Sequence, residues 1–145
     1  MEKKLKVGEI LECINQLRGG QFGEIKLAGF CNEKSISEGV RRIANKTAKK
    51  LVENYPGEQF QSIYNLQLTD LKIDIEVSFG SEEDEKKYLD KVKNEKIKEL
   101  FESEVVINFE ELPDWKVMND RLEAKNENLS HNYVYLFEKL FLNYD

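Results

Sequence analysis

Apolar and polar residues alternate along Leu71-Lys72-Ile73-Asp74-Ile75-Glu76-Val77-Ser78-Phe79. A period of two predicts a strand with one dry face and one wet face. The segments on either side follow a different period. Val7, Ile10, Leu11, Ile14 and Leu17 recur at helical spacing, and so do Val40, Ile43, Ala44, Thr47, Ala48 and Leu51. Each set makes one apolar stripe, as an amphipathic helix does. Beyond the strand, Tyr88, Leu89, Val92, Ile97, Leu100 and Phe101 line a third helix, and Tyr133, Leu136, Phe137, Leu140 and Phe141 a fourth.

Local signals punctuate these stripes. Gly19-Gly20 stops the first helix, and Glu24–Ala28 reads as a short strand. Ser35-Ile36-Ser37-Glu38 has the form of a capping box, with Ser35 as the cap. Tyr55-Pro56-Gly57 ends the second helix, because proline disfavours helical backbone in the residue before it. Phe60–Leu68 has mixed polarity and reads as a bend or hairpin leading into the strand. Ser81 caps the third helix, with Glu82, Glu83 and Asp84 at the positive end of its dipole. Val105–Phe109 reads as a second strand, Pro113 as the first turn of a short helix bearing Trp115, and Ser130 as the cap of the last helix.

These elements predict an α+β fold: a small antiparallel or mixed sheet packed against amphipathic helices. The sheet is expected around 71–79 and 105–109, and the helices over 8–17, 36–54, 82–101 and 130–142. No repeat or linker divides the chain, so residues 1–145 read as a single domain.

Composition narrows the picture. The chain has 145 residues, 40% hydrophobic and 34% charged, with a net charge of −6. That length buries a core without help from metal or disulfide. Cys13 and Cys31 match no metal or redox spacing and read as reduced thiols. Met1–Leu5 lacks the apolar core of a signal peptide, and no apolar run reaches the ~18 residues of a membrane span. The expectation is a cytoplasmic protein without membrane contact.

Candidate chemistry is sparse. Gly20, Gly23 and Ile25 match part of the glycine-rich phosphate loop of protein kinases, but Arg18 fills the first glycine position and the remaining kinase motifs are missing. Pro113-Asp114 with Glu123-Ala124-Lys125 has the lettering of a metal-dependent nuclease, yet 122–128 lacks the strand pattern that chemistry needs. Asp74 and Glu76 share a strand side, with Lys72 beside them and no third acid. His131 is the only histidine, so a histidine triad or multi-histidine zinc site is not expected. No catalytic residue, metal site or cofactor is expected, and the chain is read as a non-enzyme.

Two surfaces are left as partner-binding candidates. Arg41, Arg42, Lys46, Lys49 and Lys50 lie on the second helix, with 42, 46, 49 and 50 opposite its apolar stripe. Such a face suits phosphate, an acidic patch on a partner, or plain solvation. Tyr133, Tyr135, Phe137 and Phe141 crowd the last helix on more than one side, which fits either a central position in the core or contact with a partner.

Three stretches carry a family resemblance. The opening Lys6-Val7-Gly8-Glu9-Ile10-Leu11, the helix ending in Leu51-Val52-Glu53-Asn54-Tyr55, and the terminal Tyr135-Leu136-Phe137-Glu138-Lys139-Leu140-Phe141 resemble those of small proteins of tailed phages and prophages. The resemblance implies a phage or mobile-element origin, host-cell cytoplasm as the location, and non-enzymatic work. The function expected is occlusion of a host defence macromolecule, a protein or protein complex, by protein–protein contact. The alternatives are an assembly component acting by self-association, and a nucleic-acid accessory protein using the basic helix.

Overall fold

A computed structural model describes residues 1–22, 24–71, 80–120 and 127–144. The elements run β1 (Glu2–Lys6), α1 (Val7–Arg18), β2 (Gly20–Phe22), β3 (Ile25–Leu27), α2 (Glu38–Asn54), α3 (Gly57–Tyr64), α4 (Glu82–Glu102), β4 (Glu104–Asn108), α5 (Trp115–Asp120) and α6 (Glu127–Leu140). Short 3-10 turns cover Phe30–Asn32 and Leu68–Leu71. The fold is α+β, with a small antiparallel sheet packed on helices. The alternating segment 72–79 lies outside the described residues.

The chain gathers into two compact units, Met1–Tyr55 with Glu104–Asp145, and Pro56–Ser103. In the first, β1 pairs antiparallel with β4, placing Leu5 opposite Val105 and Lys3 opposite Ile107. Alternation turns Leu5 and Ile107 into the core and leaves Lys4, Lys6, Glu104 and Val106 outside. β4 falls within one residue of its expected place. β1 was not expected, because three lysines and a glutamate hide a strand only five residues long.

The helices follow their stripes. α1 buries Val7, Ile10, Cys13 and Leu17, and Gly19 ends it with φ 81° while donating its N–H to the Asn15 carbonyl. α2 buries Val40, Ala44, Thr47, Ala48 and Leu51. The Thr47 hydroxyl satisfies itself by donating to the Ile43 carbonyl at 2.9 Å. The cap of α2 is Ser37, not Ser35: the Val40 N–H donates to Ser37 Oγ at 3.4 Å, while Ser35 Oγ is buried without a partner. The motif offered two serines, and the one next to the first helical residue takes the role. Similarly, α5 is capped by Asp114, whose carboxylate accepts from the Lys116 and Val117 N–H groups, with Pro113 just outside.

An aromatic cluster closes this unit. Phe30 meets Tyr133, Phe137 and Phe141 edge-on at 5.7, 5.6 and 5.0 Å between centroids. Phe137 also packs on Trp115 at 4.7 Å. Such edge-to-face pairs add about 0.5–1.5 kcal/mol each beyond area burial. α6 is kinked at Tyr133 (φ −126°, ψ 18°), and the side chain of Gln16 in α1 accepts the Leu136 N–H at 2.9 Å just past the kink. α6 begins three residues before Ser130 and continues through it, so Ser130 is not its cap.

The second unit is a helical hairpin among its described residues. The stretch expected to be a bend or hairpin starts inside α3, which packs on α4 through Phe60 and Phe101 at 4.8 Å. Lys93 Nζ donates to the Tyr64 carbonyl at 2.9 Å. Ser81 caps α4 as expected, accepting from the Asp84 N–H at 3.2 Å.

Candidate partner-binding face

The outer side of α2 is the best-defined charged face of the first unit. Its orientation is fixed from below: with Val40, Ala44, Thr47, Ala48 and Leu51 buried, the residues half a turn away must face water. Arg42, Lys46, Lys49 and Lys50 are all exposed there. One row, at steps of three and four, reads Glu38, Arg42, Lys46, Lys49, Glu53, so cations fill the middle and a carboxylate stands at each end.

Arg41 does not belong to this face. It bends over the chain preceding α2, donating to the Glu33 carbonyl at 2.7 Å and the Ile36 carbonyl at 3.5 Å. Its Nε is buried and unpartnered. It therefore clamps the entry to the helix. The expectation that grouped it with the exposed cations is corrected by one helical step of 100°, which carries it towards the core side.

A groove of about 290 Å³ runs beside the row, between α2 and the chain leaving β4. Lys46, Lys49, Lys50 and Glu53 form one wall and Glu110 and Glu111 the other. Lys46 Nζ stands 3.9 Å from Glu111, with both side chains at least half exposed. Surface pairs of that kind contribute little to stability, so both groups stay available to a partner. Glu38 and Glu53 were legible as members of the helical row. Glu110 and Glu111 arrive by tertiary packing and carry no local signal.

The aromatic candidates divide differently. Tyr133, Phe137 and Phe141 are buried in the core and present no anchor to a partner. Their spacing of four residues puts them on one inward stripe. Tyr135 is half-buried, with Lys139 Nζ 5.7 Å from its ring centre. The Tyr133 hydroxyl donates to Glu33 at 2.6 Å, and burial, then this hydrogen bond, push its ionisation well above the ordinary tyrosine range. Lys139 pairs with Glu9, which also accepts the Lys6 N–H. Those two contacts hold the Glu9 carboxyl below its usual value.

The remaining sequence leads carry no site. Cys13 and Cys31 are free and buried. Burial, with Glu9 and Glu12 nearby, pushes Cys13 up to about 12, and burial raises Cys31 as well, so neither is a ready nucleophile. In the glycine-rich stretch β2 and β3 pair antiparallel, with Phe22 opposite Ile25, and Gly23 lies outside the described residues. Asp74, Glu76 and Glu123–Lys125 lie outside the described residues, as does the side chain of His131. Among the described residues, no group of three or more His, Cys, Asp or Glu side chains converges as a metal site, and no helix is long and apolar enough to cross a membrane. No protein-family model, curated protein or solved structure matches the chain.

Proposed function

We propose that this chain is a non-catalytic binding protein of phage or mobile-element origin that occludes a host macromolecule by protein–protein contact. The observation that carries this reading is the charged outer face of α2, held rigid by a fully buried opposite face. A preorganised helix loses little conformational freedom on binding, and its bounded run of cations is locally complementary to a partner segment of opposite charge. The resemblance to tailed-phage proteins supplies the origin. The buried aromatic residues supply the scaffold, and the anchors fall to α2 and its groove.

The test is affinity purification of the intact chain from host lysate, followed by assay of the recovered partner with and without added chain. The expected result is a stoichiometric complex whose activity falls as the chain is added. Recovery of no stoichiometric partner, or turnover of a substrate by the purified chain, overturns the reading.

A further inference from the structure

The row on α2 is short and bounded. Arg42 and Lys49, the outer cations, stand seven helical steps apart, about 10.5 Å at 1.5 Å per residue. Glu38 closes one end and Glu53 the other, and Glu110 and Glu111 flank the side. Four cations (Arg42, Lys46, Lys49, Lys50) therefore stand among four carboxylates, all exposed, and the face as a whole is neutral.

This pattern separates two kinds of anionic partner. Duplex DNA carries a negative charge about every 1.7 Å along its axis. A duplex laid on the row would place about six charges over the cations and then run past both ends onto carboxylates. Binding by counterion release grows with the number of phosphates neutralised, and this face neutralises few. Phe109, the ring lining the groove beside the row, is buried, so it offers no platform for base stacking. A short protein segment meets none of these objections, because its charge can end where the row ends.

We infer that the outer face of α2 docks a short acidic helix of a protein partner, with carboxylates at positions i, i+4 and i+7 facing Arg42, Lys46 and Lys49. The inference rests on the protein-binding reading above and names the chemistry of its partner. Helical spacing on the partner reproduces the spacing of the cations, since both rows follow the same period. Basic residues one turn beyond each end of the acidic run would meet Glu38 and Glu53. Arg41 takes no part, because backbone carbonyls already hold it.

The test uses the full chain and fluorescence anisotropy at low salt with three labelled probes. The first is an alanine-rich helical peptide with Glu at i, i+4 and i+7 and Lys four residues before and after that run. The second has the same composition with its charges scattered around the helix. The third is a short DNA duplex. The matched peptide is expected to bind at least about tenfold tighter than either of the others. Lys46→Glu and Lys49→Glu together should abolish that preference, and a peptide with Lys at i, i+4 and i+7 should then bind the doubly reversed variant. Circular dichroism verifies that the variant is folded, and Lys46→Gln with Lys49→Gln serves as a milder second pair, expected to weaken the matched peptide without admitting the reversed one. Equal binding of matched and scattered peptides, tighter binding of the duplex, or failure of the reversed pair overturns the inference. A host partner recovered equally by wild-type chain and by the reversed variant also overturns it while leaving the broader reading standing; recovery of no partner strikes that broader reading instead.

Discussion

The two compact units are built on different terms. Every buried hydrophobic side chain among the described residues except Phe60 belongs to the unit of Met1–Tyr55 and Glu104–Asp145. There helix stripes, a two-stranded ribbon and an aromatic cluster share one core. In the unit Pro56–Ser103, the 21-residue helix α4 buries no residue completely. Its backbone relies on local terms: a serine cap, an acidic first turn, and lysines and glutamates along its length. The first unit thus derives its order from non-local burial, and the second from helix propensity and capping. A binding surface that must hold its geometry is better placed on the first, which is where the α2 row lies.

The widest gap between the units should show in their aromatic residues. Phe137 sits among Phe30, Trp115 and Phe141 with no exposure, so Phe137→Ala should cost about 3–5 kcal/mol in denaturant unfolding. Phe101 is only half-buried against Phe60, and Phe101→Ala should cost less than about 2 kcal/mol, read from amide exchange along α4. Equal costs would break the comparison, because they would place a full core under α4.

Backbone fit gives the next largest effect, again in the first unit. Gly29 has φ +90°, and a Cβ there would sit 2.4 Å from the carbonyl carbon of Arg18 and 2.5 Å from the nitrogen of Gly19. Neither backbone atom can move away cheaply, and the dihedral itself disfavours an L side chain. Gly29→Ala should therefore lose about 2–3 kcal/mol in thermal or denaturant unfolding. A neutral outcome would mean that the turn leading to Phe30 is free to rearrange.

Much of this architecture was legible along the chain, and the failures have one physical cause. Helices α1, α2 and α4 were readable because their stripes repeat over many residues, and serines mark the starts of α2 and α4. β1 was not, since five residues with four charges make no pattern until β4 lies alongside. The candidate face was half legible. Arg42, Lys46 and Lys49 follow from period alone, as do Glu38 and Glu53, whereas Arg41 is removed by a bend that only the packed Glu33–Ile36 segment explains. The aromatic stripe at 133, 137 and 141 admitted two readings, core or contact. Only the arrival of Phe30 from more than a hundred residues away decides between them.

Tyr133 sharpens the comparison through pH. Burial and Glu33 raise its ionisation above the ordinary tyrosine value of 10.0. A raised folded value means that folding favours the protonated ring. Its contribution is therefore complete below pH 10 and is lost as pH rises beyond that towards the folded value. Tyr133→Phe should cost about 1–2 kcal/mol at neutral pH through the lost hydrogen bond and the stranded Glu33 carboxylate. Above pH 10 the gap between wild type and variant should narrow, as measured by unfolding at stepped pH. A constant gap would show that the hydroxyl is not held by Glu33.

The smallest effect belongs to the second unit and tests its local character directly. Ser81 Oγ accepts the Asp84 N–H, one of four helix-end donors that lack an intrahelical partner. Ser81→Ala should remove about 1 kcal/mol, whereas Ser81→Asp should retain the cap. Because α4 draws on end effects more than on burial, the loss should fray its first turn and speed amide exchange from Glu82 onward. The core amides of α1 and α6 should remain unchanged. An equal speeding of exchange across both units, with α1 opening alongside α4, would mean that α4 is locked into the same cooperative core, and the division between burial-driven and locally driven order would no longer hold.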